Sequence, residues 1–198
     1  EKLGSVAIQL APENANTFSF EYSGSCAQYA DVLTDSMLKG ILSYHVSEAV
    51  NLINARHFAE ERGLQISETK SGRGKIYNDL ITVSLGPDAP YQHISASVFG
   101  ENDYRIVQID GFAIELRLEG NIVMYQNVDK PGMLAGVSSA MAEKGINIGS
   151  LSLGRIAEKA KAITAVSVDQ QLNEAELQPL RELEGVEALR YISLSDQE

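Results

Sequence analysis

Residues 127–134 read Asn127-Val128-Asp129-Lys130-Pro131-Gly132-Met133-Leu134 and join two different periodicities. The residues before them, Asn121 to Val128, read as a strand. Those after them, Gly132 to Lys144, read as a helix with Leu134, Val137 and Met141 inward and Gly145 at its end. Farther on, Ile146 to Arg155 and Ala162 to Val168 read as strands. Asn173 to Leu183 reads as a helix opened by the capping-box pair Asn173 and Glu176, and Val186 to Leu194 as the last strand. The order is βαββαβ, which predicts an antiparallel four-stranded sheet with both helices on one face. Pro179 predicts a kink or a late start in the second helix, because its ring removes an N–H.

The turn itself has chemistry. Gly132 lets a ligand approach the backbone, and the helix start presents unpaired N–H groups and the positive end of a dipole. Asp129 adds an acceptor suited to an ammonium group, so a small zwitterion with a carboxylate and an amine matches the mixed polarity. The plainer alternative is that Asp129 only caps the helix. Asn147, between Ile146 and Ile148, either reads a ligand or satisfies backbone.

Toward the N-terminus the rhythm differs. Leu3, Val6, Ala7 and Leu10 recur at helical spacing, and Ala11-Pro12 ends that segment. Phe18, Phe20 and Tyr22 alternate as a strand. Ala30 to Tyr44 reads as a helix. A second helix follows, with Ser47 as cap, Val46, Ala49, Val50, Ile53 and Phe58 as its apolar stripe, and Gly63 just past its end. From Leu64 to Leu118 the period is two, with strands at Leu64–Thr69, Ile76–Leu85, Gln92–Phe99, Tyr104–Ile109 and Phe112–Leu118. Asp110-Gly111 is a hairpin turn, since both positions need positive φ. A simple register across it sets Arg105 beside Leu116 on the apolar face and Arg117 on the opposite one. The change of rhythm near Leu118 predicts two domains, residues 1–117 and 118–198. The class is α+β: a mixed α/β domain followed by the βαββαβ domain.

Composition bounds the function. The 198 residues carry 16 Lys+Arg against 27 Asp+Glu, a net charge of −11, which argues against nucleic acid or an anionic membrane as partner. No apolar run approaches the ~20 residues of a membrane span, and Glu1-Lys2-Leu3-Gly4 lacks the plan of a signal peptide. The single cysteine, Cys26, excludes an intramolecular disulfide and points to a reducing, cytoplasmic setting. His45, His57 and His93 have no metal-ligand spacing. Neither Gly72-Arg73-Gly74 nor Gly149 to Gly154 has the glycine spacing of a dinucleotide site. Lys70, Arg73 and Lys75 around Ser71-Gly72 form a basic glycine-rich loop, read either as an anion cradle or as a solvated hairpin tip.

Residues 120 to 194 resemble the ACT domain, a regulatory module of ferredoxin-like fold that binds small amino acids. The carrying residues are Asp129-Lys130-Pro131-Gly132-Met133-Leu134, Gly145-Ile146-Asn147-Ile148 and the strand after Gly185-Val186. The resemblance implies a ligand between paired domains, touching Asn127, Asp129 and Asn147 along the turn that Lys130 to Leu134 complete. Relatives often carry His or Tyr where this chain has Asn127.

Ala49-Val50-Asn51-Leu52-Ile53-Asn54-Ala55, Ala59-Glu60-Glu61-Arg62-Gly63, Val98-Phe99-Gly100 and Arg105 through Phe112 resemble the intervening domain of D-3-phosphoglycerate dehydrogenases. That resemblance implies a regulatory fragment with no catalytic residue and no cofactor of its own. The parent would be an NAD-dependent enzyme that oxidises 3-phosphoglycerate on the way to serine. Its partners would be L-serine or another small amino acid as feedback effector, the catalytic domains of the same chain, and a second copy paired through the ACT domain. Arg105 and Arg117 match basic positions associated with anion binding in that family. Two alternatives are part of an iron–sulfur L-serine dehydratase, whose Ser-rich opening segment is absent here, and an oligomerisation module with a vestigial effector site.

Overall fold

The computed structural model describes residues 1–44, 49–72, 76–156 and 160–194. The chain divides into two compact units, Glu1–Asp110 and Gly111–Glu198.

The first unit runs α1 (Lys2–Leu10), β1 (Thr17–Gly24), a 3-10 turn (Ser25–Tyr29), α2 (Ala30–Ser43), α3 (Ala55–Glu61), β2 (Gln65–Ser71), β3 (Asp79–Ser84), β4 (His93–Gly100) and β5 (Asp103–Ile109). Its strands lie in the order β2-β1-β3-β4-β5, with β1 and β2 parallel and the other neighbours antiparallel. The alternation read from sequence builds one apolar face from Phe18, Phe20, Tyr22, Val83, Ile94, Ile106 and Ile109, all buried. Helix α2 is tied to this face by a hydrogen bond of 2.6 Å between the Tyr22 and Thr34 hydroxyls.

Helices α1 and α2 cross through two glycines. A Cβ on Gly4 would stand 2.1 Å from the Met37 carbonyl oxygen, and one on Gly40 would stand 2.2 Å from that of Glu1. Only glycine permits that approach.

The helix expected across residues 46–58 is shorter than its apolar spacing suggests. Val46 and Ser47 lie outside the described residues, as does His45. Residues 49–54 are not helical. The Asn51 carboxamide oxygen accepts from the Ile53 and Asn54 N–H groups, and the Asn54 side chain accepts from the Asn51 N–H and donates to the Ala49 carbonyl. These local bonds compete with helix and delay α3 to Ala55, and Ile53 is 95% exposed. Likewise β3 begins only at Asp79.

The second unit runs β6 (Phe112–Arg117), β7 (Gly120–Val128), α4 (Met133–Glu143), β8 (Ile148–Ile156), β9 (Lys161–Val168), α5 (Glu174–Arg181) and β10 (Val186–Leu194). Its antiparallel sheet has the order β10-β7-β9-β8. Val123, Tyr125, Val166, Val168 and Leu189 from the sheet form one core with Val137 and Met141 of α4 and Leu177 and Leu180 of α5. Both helices therefore cover one face, as the βαββαβ order requires. The stripe of α4 is Met133, Val137 and Met141; Leu134, expected inward, is exposed. The capping box at Asn173 and Glu176 forms, and α5 takes Pro179 inside a helix of eight residues.

Strand β6 continues the period-two rhythm of the strands before it, which is why sequence groups it with residues 1–117. In the structure it is hydrogen-bonded into the first sheet, whose full order is β2-β1-β3-β4-β5-β6, and it also packs on β8 and β9. It approaches so closely that a Cβ on Gly154 would stand 2.5 Å from the Ala113 carbonyl oxygen.

Candidate functional site

Strand β7 ends at Val128, and the ladder fixes what surrounds that end. Asn127 pairs with Ala162 of β9, which pairs with Arg155 of β8, so the three share one row on the helix-covered face. One row in, Tyr125 faces Thr164, and Thr164 faces Leu153.

Asn127 is buried; its Nδ2 donates to the Val128 carbonyl at 2.8 Å and its Oδ1 accepts from the Thr164 hydroxyl at 3.4 Å. The Tyr125 hydroxyl is buried and completes no hydrogen bond of normal geometry among the described residues. Burial pushes its phenol up from the ordinary value, with the Thr164 hydroxyl pulling the other way.

Asp129 leaves the strand with its N–H donating to the Ala160 carbonyl. Its Oδ2 accepts from Arg155 Nε at 2.8 Å and lies 2.7 Å from a second guanidinium nitrogen. Helix α4 follows Gly132, whose φ of +89° is a left-handed conformation suited to glycine, and no side chain caps the helix. Asp129 is thus not the helix cap. Lys130 is exposed beside Glu184 at 3.4 Å, and Pro131 is exposed. Met133 is buried into the core, while Leu134 faces out.

Asn147 is elsewhere. It precedes β8 and donates its Nδ2 to Asp169, the residue after β9. Asp129 follows Val128, which pairs with Lys161 at the start of β9; Ile148, next to Asn147, pairs with Val168 at its end. The eight residues of β9 separate the two positions by about 25 Å. A single chain therefore does not bring Asp129 and Asn147 together.

Sequence reasoning missed Arg155. The signal was present, since Arg155 has the same parity as Leu151 and Leu153 along β8. What was not legible was the two-residue spacer Val128-Asp129 bringing the Asp129 carboxylate back onto that row.

Those basic residues proposed for an anion that are described are each matched by an acid. Lys70 lies 3.4 Å from Asp31, and Arg117 lies 3.7 Å from Glu119. Arg105 makes a two-pronged pair with Asp103, at 2.8 and 2.5 Å, and stands over the Phe99 ring at 4.7 Å. Arg73 and Lys75 lie outside the described residues. The expected apolar placement of Arg105 is corrected by a bulge. Ser95 pairs with Gln108 but Ala96 pairs with Ile106, so Val107 is the extra residue. The bulge buries Ile106 and Val107 together and moves Arg105, opposite Ser97, to the polar face. Arg105 belongs to the first unit and Arg117 to the second.

His57 is exposed 3.6 Å from Glu61, and His93 bonds the Ser84 hydroxyl at 2.9 Å. Among the described residues no His, Cys, Asp or Glu side chains gather to hold a metal ion. Gly149 to Gly154 lies within β8. No helix of the described residues is long and apolar enough to cross a membrane.

The chain was compared with known proteins. Residues 1–110 match the D-3-phosphoglycerate dehydrogenase intervening domain, and residues 121–185 match the ACT domain. It is 28% identical over 194 residues to D-3-phosphoglycerate dehydrogenase of Bacillus subtilis, covering 98% of this chain and 37% of that protein. The corresponding figures for D-3-phosphoglycerate dehydrogenase of Methanocaldococcus jannaschii are 25% over 195 residues, 98% and 37%. D-3-phosphoglycerate dehydrogenase 3, chloroplastic, of Arabidopsis thaliana is 26% identical over 216 residues, with 98% and 36% covered. The chain thus spans little more than a third of the length of these relatives. It belongs to the D-3-phosphoglycerate dehydrogenase intervening-domain family, with an ACT domain following that domain.

Proposed function

We propose that the chain is the regulatory part of an NAD-dependent D-3-phosphoglycerate dehydrogenase, a cytoplasmic enzyme of serine synthesis, and that its second unit binds L-serine across the seam between two copies. The NAD site and the catalytic residues are assigned to the portion of such enzymes that this chain does not cover. Asp129 receives the ammonium group, Asn127 and the start of α4 line the turn, and Asn147 comes from the other copy.

The observation that carries this reading is the separation of Asp129 and Asn147 to opposite ends of β9. Strand β8 is the sheet edge on that side, and an edge invites pairing. Two β8 strands paired antiparallel about a two-fold axis set the start of one beside the end of the other. Asn147 of one copy then approaches Asp129 and Arg155 of the other. Leu151 and Leu153 on β8 and Leu134 on α4 are exposed and supply apolar surface for such a seam. Serine contacting both copies favours one relative arrangement of the pair. Differential affinity for two arrangements is what turns binding into a signal to attached catalytic domains. The first unit supports an anion site less well, since Lys70 and Arg105 are each paired with an acid.

Calorimetric titration with L-serine and a thermal-shift series test the reading. Serine should release or absorb heat and raise the melting temperature, and Asp129→Ala should abolish both responses. No heat and no shift at millimolar serine would remove the serine assignment.

A further inference from the structure

We infer that Arg155 is a second ligand-reading residue: with Asp129 it forms a clamp for a zwitterion, in which the guanidinium takes the ligand's carboxylate and the Asp129 carboxylate takes its ammonium group. The inference rests on the effector site proposed above and names the group that makes that site require a carboxylate.

The geometry of the pair is the starting point. An arginine fork normally meets both oxygens of a carboxylate in two parallel bonds. Here both contacts converge on one oxygen, Asp129 Oδ2, from Nε at 2.8 Å and from a second guanidinium nitrogen at 2.7 Å. Asp129 Oδ1 and the remaining Arg155 N–H groups make no hydrogen bond among the described residues. The Arg155 side chain is 65% exposed and that of Asp129 21%, so the pair presents an open acceptor on its inner member and open donors on its outer one. As a stabilising surface contact it is worth little.

The surroundings suit a ligand. Ala162, small and buried, stands between the buried Asn127 amide and the exposed Arg155 guanidinium in the same row. The uncapped start of α4 follows Asp129 by three residues and adds positive potential on the carboxylate side. One row inward the buried Tyr125 hydroxyl completes no hydrogen bond of normal geometry among the described residues. Arg155 also sits at the β8 end that an antiparallel copy would bring beside Asn147. The ion pair keeps each charge compensated while the site is empty. Binding completes both groups instead of breaking the pair.

The test is calorimetry on the chain with three probes: L-serine, L-serine methyl ester, which keeps the ammonium group but loses the carboxylate charge, and ethanolamine, which lacks the carboxylate. The unsubstituted chain should bind serine at least about tenfold more tightly than either other probe, the scale of one charged hydrogen-bonded contact. Arg155→Gln should weaken serine by about ten- to a hundredfold while leaving the two other probes unchanged, so that discrimination collapses. Arg155→Lys should retain part of it. Arg155→Gln with undiminished discrimination overturns the inference and leaves the serine site standing. An unsubstituted chain indifferent to serine overturns both. Should Arg155→Gln fail to fold, the methyl ester decides on the unsubstituted chain: equal binding of ester and serine overturns the inference.

Discussion

Each unit buries a tyrosine on the helix-covered face of its sheet, and the two are treated differently. In the first unit the Tyr22 hydroxyl meets Thr34 at 2.6 Å. In the second, the equally buried Tyr125 hydroxyl finds no such bond. The contrast extends outward. On the polar face of the first sheet, Ser19 bonds Ser67, Ser23 bonds Ser71, Thr82 bonds Ser95 and Ser84 bonds His93. Arg56 closes on Asp35 and Glu68, and Asp79 on Ser25 and Cys26. At the end of β7, among the described residues, Asp129 keeps one oxygen open and Arg155 keeps donors open. Polar groups satisfied within the chain hold structure; polar groups left open at one end of a sheet mark where something else is received. That difference is why the effector is assigned to the second unit.

The largest effect should come from the closed packing of the first unit. Gly4→Ala places a methyl group on the Met37 carbonyl and should cost about 3 kcal/mol in denaturant unfolding; an unchanged midpoint would show that the α1–α2 crossing is not as tight as the backbone separation implies. Next comes Tyr22→Phe, which strands the Thr34 hydroxyl and should cost about 1–2 kcal/mol.

Asp79 follows. The Cys26 N–H beside it, with the Ser25 hydroxyl, holds its carboxyl below the ordinary value of 3.8. A depressed carboxyl contributes stability that is present above its unfolded value and lost as pH falls through the folded one. Stability measured from pH 6 downward should therefore drop in the acid range, and Asp79→Asn should flatten that limb by no more than about 1 kcal/mol. Equal acid slopes in both proteins would remove Asp79 from the account. The smallest effect sharpens the contrast most: Tyr125→Phe should leave stability without ligand within about 0.5 kcal/mol, since no hydrogen bond of normal geometry among the described residues is lost. A cost as large as that of Tyr22→Phe would erase the distinction between the units.

Local signals carried much of the fold. The Asn173–Glu176 capping box, the Asp110-Gly111 turn with φ of 49° and 85°, and the βαββαβ order are set by neighbouring residues and were legible. Long-range pairing was not. The Val107 bulge that turns Arg105 to the polar face depends on how β4 meets β5. The non-helical stretch before α3 depends on two asparagines bonding each other's backbone, which an apolar-stripe count overlooks. At the candidate site the residue types were legible in the turn from Asn127 to Leu134, but their division between two ends of a sheet was not. Nor was the partner of Asp129, twenty-six positions farther along the chain.

The central claim is that one effector site is built from two copies, and complementation tests it most directly. Asp129→Ala and Asn147→Ala chains are prepared separately, each expected to be silent to serine, then unfolded and refolded together. In mixed pairs one seam site loses both residues and the other keeps both, so the mixture should regain a serine-dependent heat and thermal shift. A mixture as silent as its two components would contradict a site shared between copies.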